Sequence, residues 1–518
     1  MSAEGRLIWP GWISRPARAV AGFVRAPGPS LPWLILLAVL QLPGAAFVVK
    51  ANAPGRANVD ITHQARQALG EIPFDDWHPP VMSALWKLIY DTTGSLEGLL
   101  LLQVFLLFAG GWLLSCYVVD RTGSRAWSLA GVVFPLLPHV LSQAGTLWKD
   151  TQMAVALLCG VILLFWVRWR RPWTFLLLAP SLLFLIYAAA VRKNALFAVL
   201  PVVFYLAWQL AQLWQARRER HRRRSGAGNA AGAGAPRVPL WRYATAVAGT
   251  GLAFLAGVQL TGSAVDRAYD VQPTDQLSQV LLDDVMFSVP PSELNASSAP
   301  QELKDKINEA RPGCRERNQI WNAYWACYGR GADGRPFSPI DYQQELRALW
   351  LETVITSPGR YLSYRAATFA EYLADSSVEY WELSWGSADA EPVGLGAQDR
   401  LADRTQRFYV VGIGVEGLPW LFKPWFWLAG AVALLIAAAR PRLMPAFRAE
   451  VALLTSSAAV YMVGYFPIIP ATHFRYTYWP AIAVTVAVIL FAAGRWSARR
   501  RGAPSPDVLP AEGSYRER

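Results

Sequence analysis

Apolar stretches long enough to cross a bilayer recur along this chain, and no other feature restricts its fold as strongly. A helix needs roughly 17 to 25 mainly apolar residues to cross about 30 Å of hydrocarbon. Ten candidates run over residues 29–49, 98–119, 126–144, 151–167, 173–190, 195–214, 243–263, 424–439, 449–468 and 477–494. The expected fold is an all-α polytopic membrane protein of about ten transmembrane helices. Composition agrees, since 53% of residues are hydrophobic and only 17% charged, low for a soluble chain of this size.

A formal charge of +12 would suit nucleic acid if the arginines formed one patch. They fall instead in alternate loops. Arg6, Arg15, Arg18 and Arg25 precede the first span, Arg121 and Arg125 follow the second, and Arg168, Arg170 and Arg171 follow the fourth. The run RRERHRRR at 217–224 follows the sixth, Arg440, Arg442 and Arg448 follow the eighth, and RWSARRR follows the tenth. By the positive-inside tendency these loops and both termini face the cytoplasm. The basic run then reads as a topology signal beside anionic lipid, with no nucleic-acid partner. The first apolar run spans a bilayer, so it reads as an uncleaved anchor rather than a signal peptide ending at ANA, residues 51–53.

Four regions follow. Residues 1–263 form an N-terminal membrane domain with a first outer loop at 50–97 and a cytoplasmic linker at 215–242, whose Gly/Ala-rich SGAGNAAGAGAP reads as a tether. Residues 264–423 form an extracytoplasmic, mainly helical domain, 424–494 the C-terminal membrane helices, and 495–518 a disordered cytoplasmic tail. In the outer domain Ser338, Pro339 and Asp341 read as a helix start. Tyr342, Leu346, Leu349, Trp350 and Val354 then repeat at helical spacing, and Tyr361, Leu362, Phe369, Tyr372 and Leu373 form a second stripe. Cys314 and Cys327 are expected to close a disulfide contributing about 3 kcal/mol, while Cys116 and Cys159 pack inside spans. GIGVEG at 412–417 spells a dinucleotide fingerprint but lacks the strand–turn–helix setting, so it is set aside.

Ionisable side chains crowd the outer ends of the spans. Asp60, His63, Asp75, Asp76 and His78 follow the first, the last three within FDDWHPP. Lys149 and Asp150 follow the third, Arg192, Lys193 and Asn194 the fifth, and His473, Arg475, Tyr476 and Tyr478 the ninth. Aromatic and basic residues anchor spans at both interfaces, whereas carboxylates anchor nothing. Acids gathered at one face therefore point to a single outer-face active site. Carboxylates can take a proton from a hydroxyl nucleophile or hold a divalent cation, Mg or Mn. Arginine and lysine stabilise charge developing on a phosphate leaving group. Together they suit transfer of a group from a lipid phosphate to an outer acceptor.

The order of these elements resembles the GT-C superfamily of membrane glycosyltransferases, which includes the protein O-mannosyltransferases and the aminoarabinose transferase of lipid A. The pattern is an acid soon after the first span, HPP in the first outer loop, an acid at the third turn and an Arg-Tyr pair before the last span. The likeness covers residues 30–215 and 473–480, and order and spacing carry it. It implies a polyprenyl-phosphate-linked sugar as donor and an inverting single displacement onto a lipid, glycan or protein acceptor. The location it implies is a bacterial inner membrane, with the site on the extracytoplasmic face. On the matching positions Asp60 would be the general base, with Asp75 or Asp76 next, and His78 would orient a carboxylate or phosphate. Asp150 and His473 would be metal ligands, and Lys149, Arg192, Arg475 and Tyr476 would hold the donor phosphate. Many members carry adjacent acids where this chain has the single acid of VDITHQ, which leaves the base open among the three aspartates. The rival reading, a transporter or flippase of a lipid-linked substrate, calls for ionisable residues near mid-membrane and repeat symmetry. Span interiors here are nearly free of charge, His139 being their main polar feature. A third reading is an assembly protein whose outer domain binds partners.

Overall fold

The computed structural model describes residues 28–167, 172–224, 239–316, 320, 323–328, 337–374, 390–395, 400–444 and 446–502, and no strand occurs among them. In chain order the organising helices are α1 (Leu31–Asn52), α2 (Val59–Leu69), α3 (Val81–Thr93), α4 (Gly98–Thr122) and α5 (Lys149–Trp166). They continue with α6 (Leu178–Val191), α7 (Ala195–Arg224), α8 (Leu240–Tyr269), α9 (Leu277–Ser288) and α10 (Gln301–Glu316). The last are α11 (Gln343–Thr353), α12 (Pro358–Ala374), α13 (Pro424–Ala439), α14 (Arg448–Gly464) and α15 (Tyr478–Gly502).

Seven helices among the described residues are long and apolar enough to cross a membrane. The ten sequence segments differ from these at three places. Residues 126–144 are no single span but the pieces Arg125–Ser128, Ala130–Val133, Phe134–Leu136 and Pro138–Ala144, because Pro135 and Pro138 supply no backbone donor to a continuous helix. The segments at 424–439 and 449–468 fold as α13 and α14, of 16 and 17 residues. Helix α7 also runs through the basic run to Arg224, nine residues past the expected start of the linker at 215; arginine, glutamine and glutamate are good helix formers. Likewise α15 runs on to Gly502, into the expected tail. The tether at 225–236, the tail from 503, Arg6, Arg15, Arg18, Arg25, Arg168, Arg170 and Arg171 lie outside the described residues.

Beyond its first turn helix α5 is apolar on every face; it occupies the centre, buried from Lys149 to Phe165 and packed against α4, α6 and α15. At the periphery, α8 leaves Leu252, Leu255 and Leu260 exposed, an apolar surface suited to lipid. A second core gathers Leu282, Val285, Met286, Leu303, Ile307, Leu346 and Leu349 from α9 to α11. Here the Ser338 hydroxyl accepts from the Ile340 amide at 3.3 Å, a 3₁₀ turn follows over Pro339–Tyr342, and the α-helix proper starts at Gln343. The second stripe is only partly buried: Tyr372 is enclosed, but Leu362 is half exposed. Cys314 and Cys327 are joined as a disulfide beside this core, and GIGVEG ends in the π-helical segment Thr405–Glu416 with no strand near it.

One buried arginine joins the two cores. Arg365 of α12 pairs with Asp284 of α9 at 2.7 Å, both side chains being almost fully enclosed. It also donates to the carbonyls of Val280 and Ile469 at 3.2 Å each, so it reaches the loop before α15. The Trp350 indole donates to the other Asp284 oxygen at 2.9 Å. Removing one member of such a pair strands a buried charge. Arg365→Met is therefore expected to cost about 3–5 kcal/mol in thermal unfolding in detergent, and Arg365→Met with Asp284→Leu considerably less; additive losses in the double variant would refute the pairing.

Candidate active site

Helix α2 presents the first acid because its ends are well specified. The Asn58 side chain accepts from the Ile61 amide at 3.2 Å, and Gly70 ends the helix at φ 79, a conformation glycine adopts without strain. Ile61, Ala65 and Ala68 are buried, which fixes the rotation of the helix about its axis and leaves the Asp60 side chain 20% exposed. The elbow leading into α5 is pinned from two sides. Arg56 N donates to Gly145 O at 2.9 Å and Leu147 N to Arg56 O at 3.0 Å, while Gln103 donates to Ala144 O and Thr146 O. Gly55, at φ 127, lies where a Cβ would meet Leu147 at 2.5 Å, so only glycine allows this close approach.

Three elements then converge on Asp60. Arg475 Nη1, from the 3₁₀ turn before α15, lies 3.5 Å from Asp60 Oδ2. His78 Nε2 lies 3.9 Å from Asp60 Oδ1. Lys149 Nζ, at the start of α5, is 2.6 Å from His78 Nδ1. With Lys149 as an ammonium, which has no acceptor, His78 Nδ1 accepts and the ring proton sits on Nε2, facing the carboxylate. Burial, and then the Lys149 charge, hold His78 well below its ordinary value, which keeps this imidazole neutral. Burial raises the Asp60 carboxyl, but the facing His78 Nε2–H and the Arg475 and Lys149 charges together more than offset it, and its pKa lies below the ordinary value. Asp60 is thus an accessible carboxylate facing groups that favour its charge.

A second pair lies beside the first. Asp150 is completely buried and bonded to Arg192 Nη1. Arg192 spends its other nitrogens on Asn194 Oδ1 at 2.9 Å and Tyr465 OH at 3.0 Å, and its guanidinium lies 5.1 Å from the Tyr476 ring centre. Tyr476 also accepts from Arg475 Nη2 at 3.1 Å, and His473 stacks on the Tyr476 ring. Arg475 covers Trp148 at 3.9 Å. Lys149, Arg192, Arg475 and Tyr476 therefore do lie together, but only Lys149 and Arg475 border Asp60.

The acidic doublet separates. Asp75 Oδ2 is 2.7 Å from His63 Nε2, and its other oxygen accepts from the Trp77 amide at 3.1 Å. Asp76 turns away: its Oδ1 accepts from the Thr274 amide at 2.6 Å and the Thr274 hydroxyl at 2.7 Å. Asp76 N also donates to Gln272 O and Gln272 N to Phe74 O, so this stretch latches the first loop to the chain after α8. Asp150 is one of the two expected metal ligands. Its carboxylate is engaged by a guanidinium, and among the described residues no group of three or more His, Cys, Asp or Glu gathers.

His63 belongs to this cluster without having been singled out for a role, its ring 6.3 Å from that of His78. The signal was there, since Asp60, His63 and Gln67 recur at helical spacing on α2. Tyr465, which holds Arg192, and Tyr324 left none. Burial, and then the Asp60 charge, raise the Tyr324 phenol. No protein-family model, no curated protein and no solved structure matches the chain.

Both shifts have the same sign for stability. The unfolded chain takes up protons at the ordinary values of 3.8 for Asp60 and 6.5 for His78, before the folded chain does. The contribution of these two groups is fully present above about pH 6.5 and falls on acidification, His78 acting first. Melting temperature in detergent should drop between about pH 7 and about pH 5, and His78→Gln should flatten that slope; a rise on acidification would contradict the assignment.

Proposed function

We propose that this chain is an inverting glycosyltransferase that moves a sugar from a polyprenyl-phosphate donor to a hydroxyl on an extracytoplasmic lipid, glycan or protein. The observation that carries the reading is the accessible Asp60 carboxylate bordered by Arg475 and the Lys149–His78 pair. Asp60 takes the proton from the acceptor hydroxyl as its oxygen attacks the anomeric carbon. The bond from that carbon to the phosphate oxygen breaks on the opposite face, and Arg475 and Lys149 hold the charge that remains on the leaving phosphate. His78 and Arg192 position these cations. The apolar helices would take the polyprenyl tail, and the basic ends of the bundle would face the cytoplasm of a bacterial inner membrane.

Of the three candidate bases, the reading favours Asp60. Asp75 is engaged by His63 and Asp76 by Thr274, whereas Asp60 faces the two cations proposed to hold the phosphate and keeps 20% of its side chain exposed, which supports it as the base. In membranes supplied with radiolabelled polyprenyl-phosphate sugars, Asp60→Asn is expected to lower turnover by about 10²- to 10⁴-fold. Asp76→Asn should lower stability and change turnover only a few-fold. Equal transfer by wild type and Asp60→Asn would overturn the reading.

A further inference from the structure

The far end of the bundle holds two adjoining cavities that the transfer reaction does not use. They lie near the C-terminal end of α5, roughly 25 Å along that helix from Lys149. One, of about 380 Å³, is walled by Tyr117, Arg121, Phe447, Arg448 and Glu450. The other, of about 460 Å³, is mainly apolar and walled by Leu200, Phe204, Leu435, Leu453 and Val460. Tyr205, Trp208 and Ala449 border both, so the two form one groove with a charged head and an apolar body.

The head is held in place. The Arg121 guanidinium lies 5.8 Å from the Tyr117 ring centre and 5.7 Å from that of Phe447, with Glu450 Oε1 at 3.9 Å. Glu450 is buried and accepts from the Tyr117 hydroxyl at 2.6 Å. Phe447 sits at φ 59, a left-handed conformation that is strained for a bulky aromatic residue, and its ring packs 5.8 Å from Tyr117. Arg448 is anchored through Nε to the Ala438 carbonyl at 3.0 Å. Two arginines against one carboxylate leave the head net cationic, while the Arg121 side chain remains 39% exposed. Along the body, Leu200, Phe204 and Trp208 are more than a third exposed.

We propose that this groove is a binding site for an anionic phospholipid, whose phosphate meets Arg121 and Arg448 and whose acyl chain lies along the apolar body. Charge complementarity selects the phosphate, and the apolar half selects a lipid over a free anion. The arginine-rich end is also the one expected beside the anionic leaflet. The inference stands apart from the transferase reading, because no residue near Asp60 takes part.

The test uses the full chain, delipidated in detergent and titrated with phosphatidylglycerol or phosphatidylcholine under native mass spectrometry. Wild type should retain a single phosphatidylglycerol about ten-fold more tightly than phosphatidylcholine, and Arg121→Gln should abolish that preference. Arg448→Gln should weaken it as well, which guards against misfolding of one variant. Leu200→Trp, filling the body, should release the lipid, and inorganic phosphate should not compete. Equal retention of the two lipids, an unchanged preference in Arg121→Gln, or displacement by inorganic phosphate would overturn the proposal.

Discussion

The buried contact between Asp150 and Arg192 constrains everything around it. A carboxylate with no exposure at the start of the central helix is tolerable only if a cation pairs with it. Arg192 supplies the charge and is itself held by Asn194 and Tyr465. The pair therefore fixes the start of α5 against the end of α6 and the end of α14. Asp150 also lies in the first helical turn, where the α5 dipole favours a negative charge. From this end of α5, Lys149 reaches His78.

From that fixed point the site is assembled by loops that would otherwise be free to move. The elbow at 144–148 is stitched to Arg56 by backbone bonds, and the 74–76 stretch is stitched to Gln272 and Thr274. Arg365 does the same for the loop preceding Arg475, through the Ile469 carbonyl. Tyr372 of α12 adds a contact to Thr477, two residues past Arg475. The appended helical layer thus holds the membrane loops that carry the cations, a physical reason for a chain of this kind to carry it.

Much of this was legible in the sequence, and the failures have identifiable causes. Polar groups at alternate span ends marked Asp60, His78, Lys149 and Arg475, because an isolated charge in a mainly apolar chain is costly unless it has a task or a partner. Hydropathy alone counted 126–144 as a span, although Pro135 and Pro138 already argued against a continuous helix. Asp76 drew attention through its closeness to His78 in the chain. Its real partner, Thr274, is 198 residues away, and no local pattern encodes such a pairing. Asp150 is a similar case: the acid could be seen, but its pairing with Arg192 across 42 residues could not.

The claim on which the rest depends is that Asp60 and Arg475 meet at one end of the bundle while Arg121 lies at the other. Paired cysteines at 60 and 475, in membranes with their sides preserved, can be treated with an impermeant short bifunctional thiol reagent, alongside a single cysteine at 121. Cross-linking of 60 to 475 from one face, with 121 labelled only from the opposite face, is the expected result. Reaction of 60 and 475 from different faces, or failure of the two to cross-link when both are labelled, would contradict it.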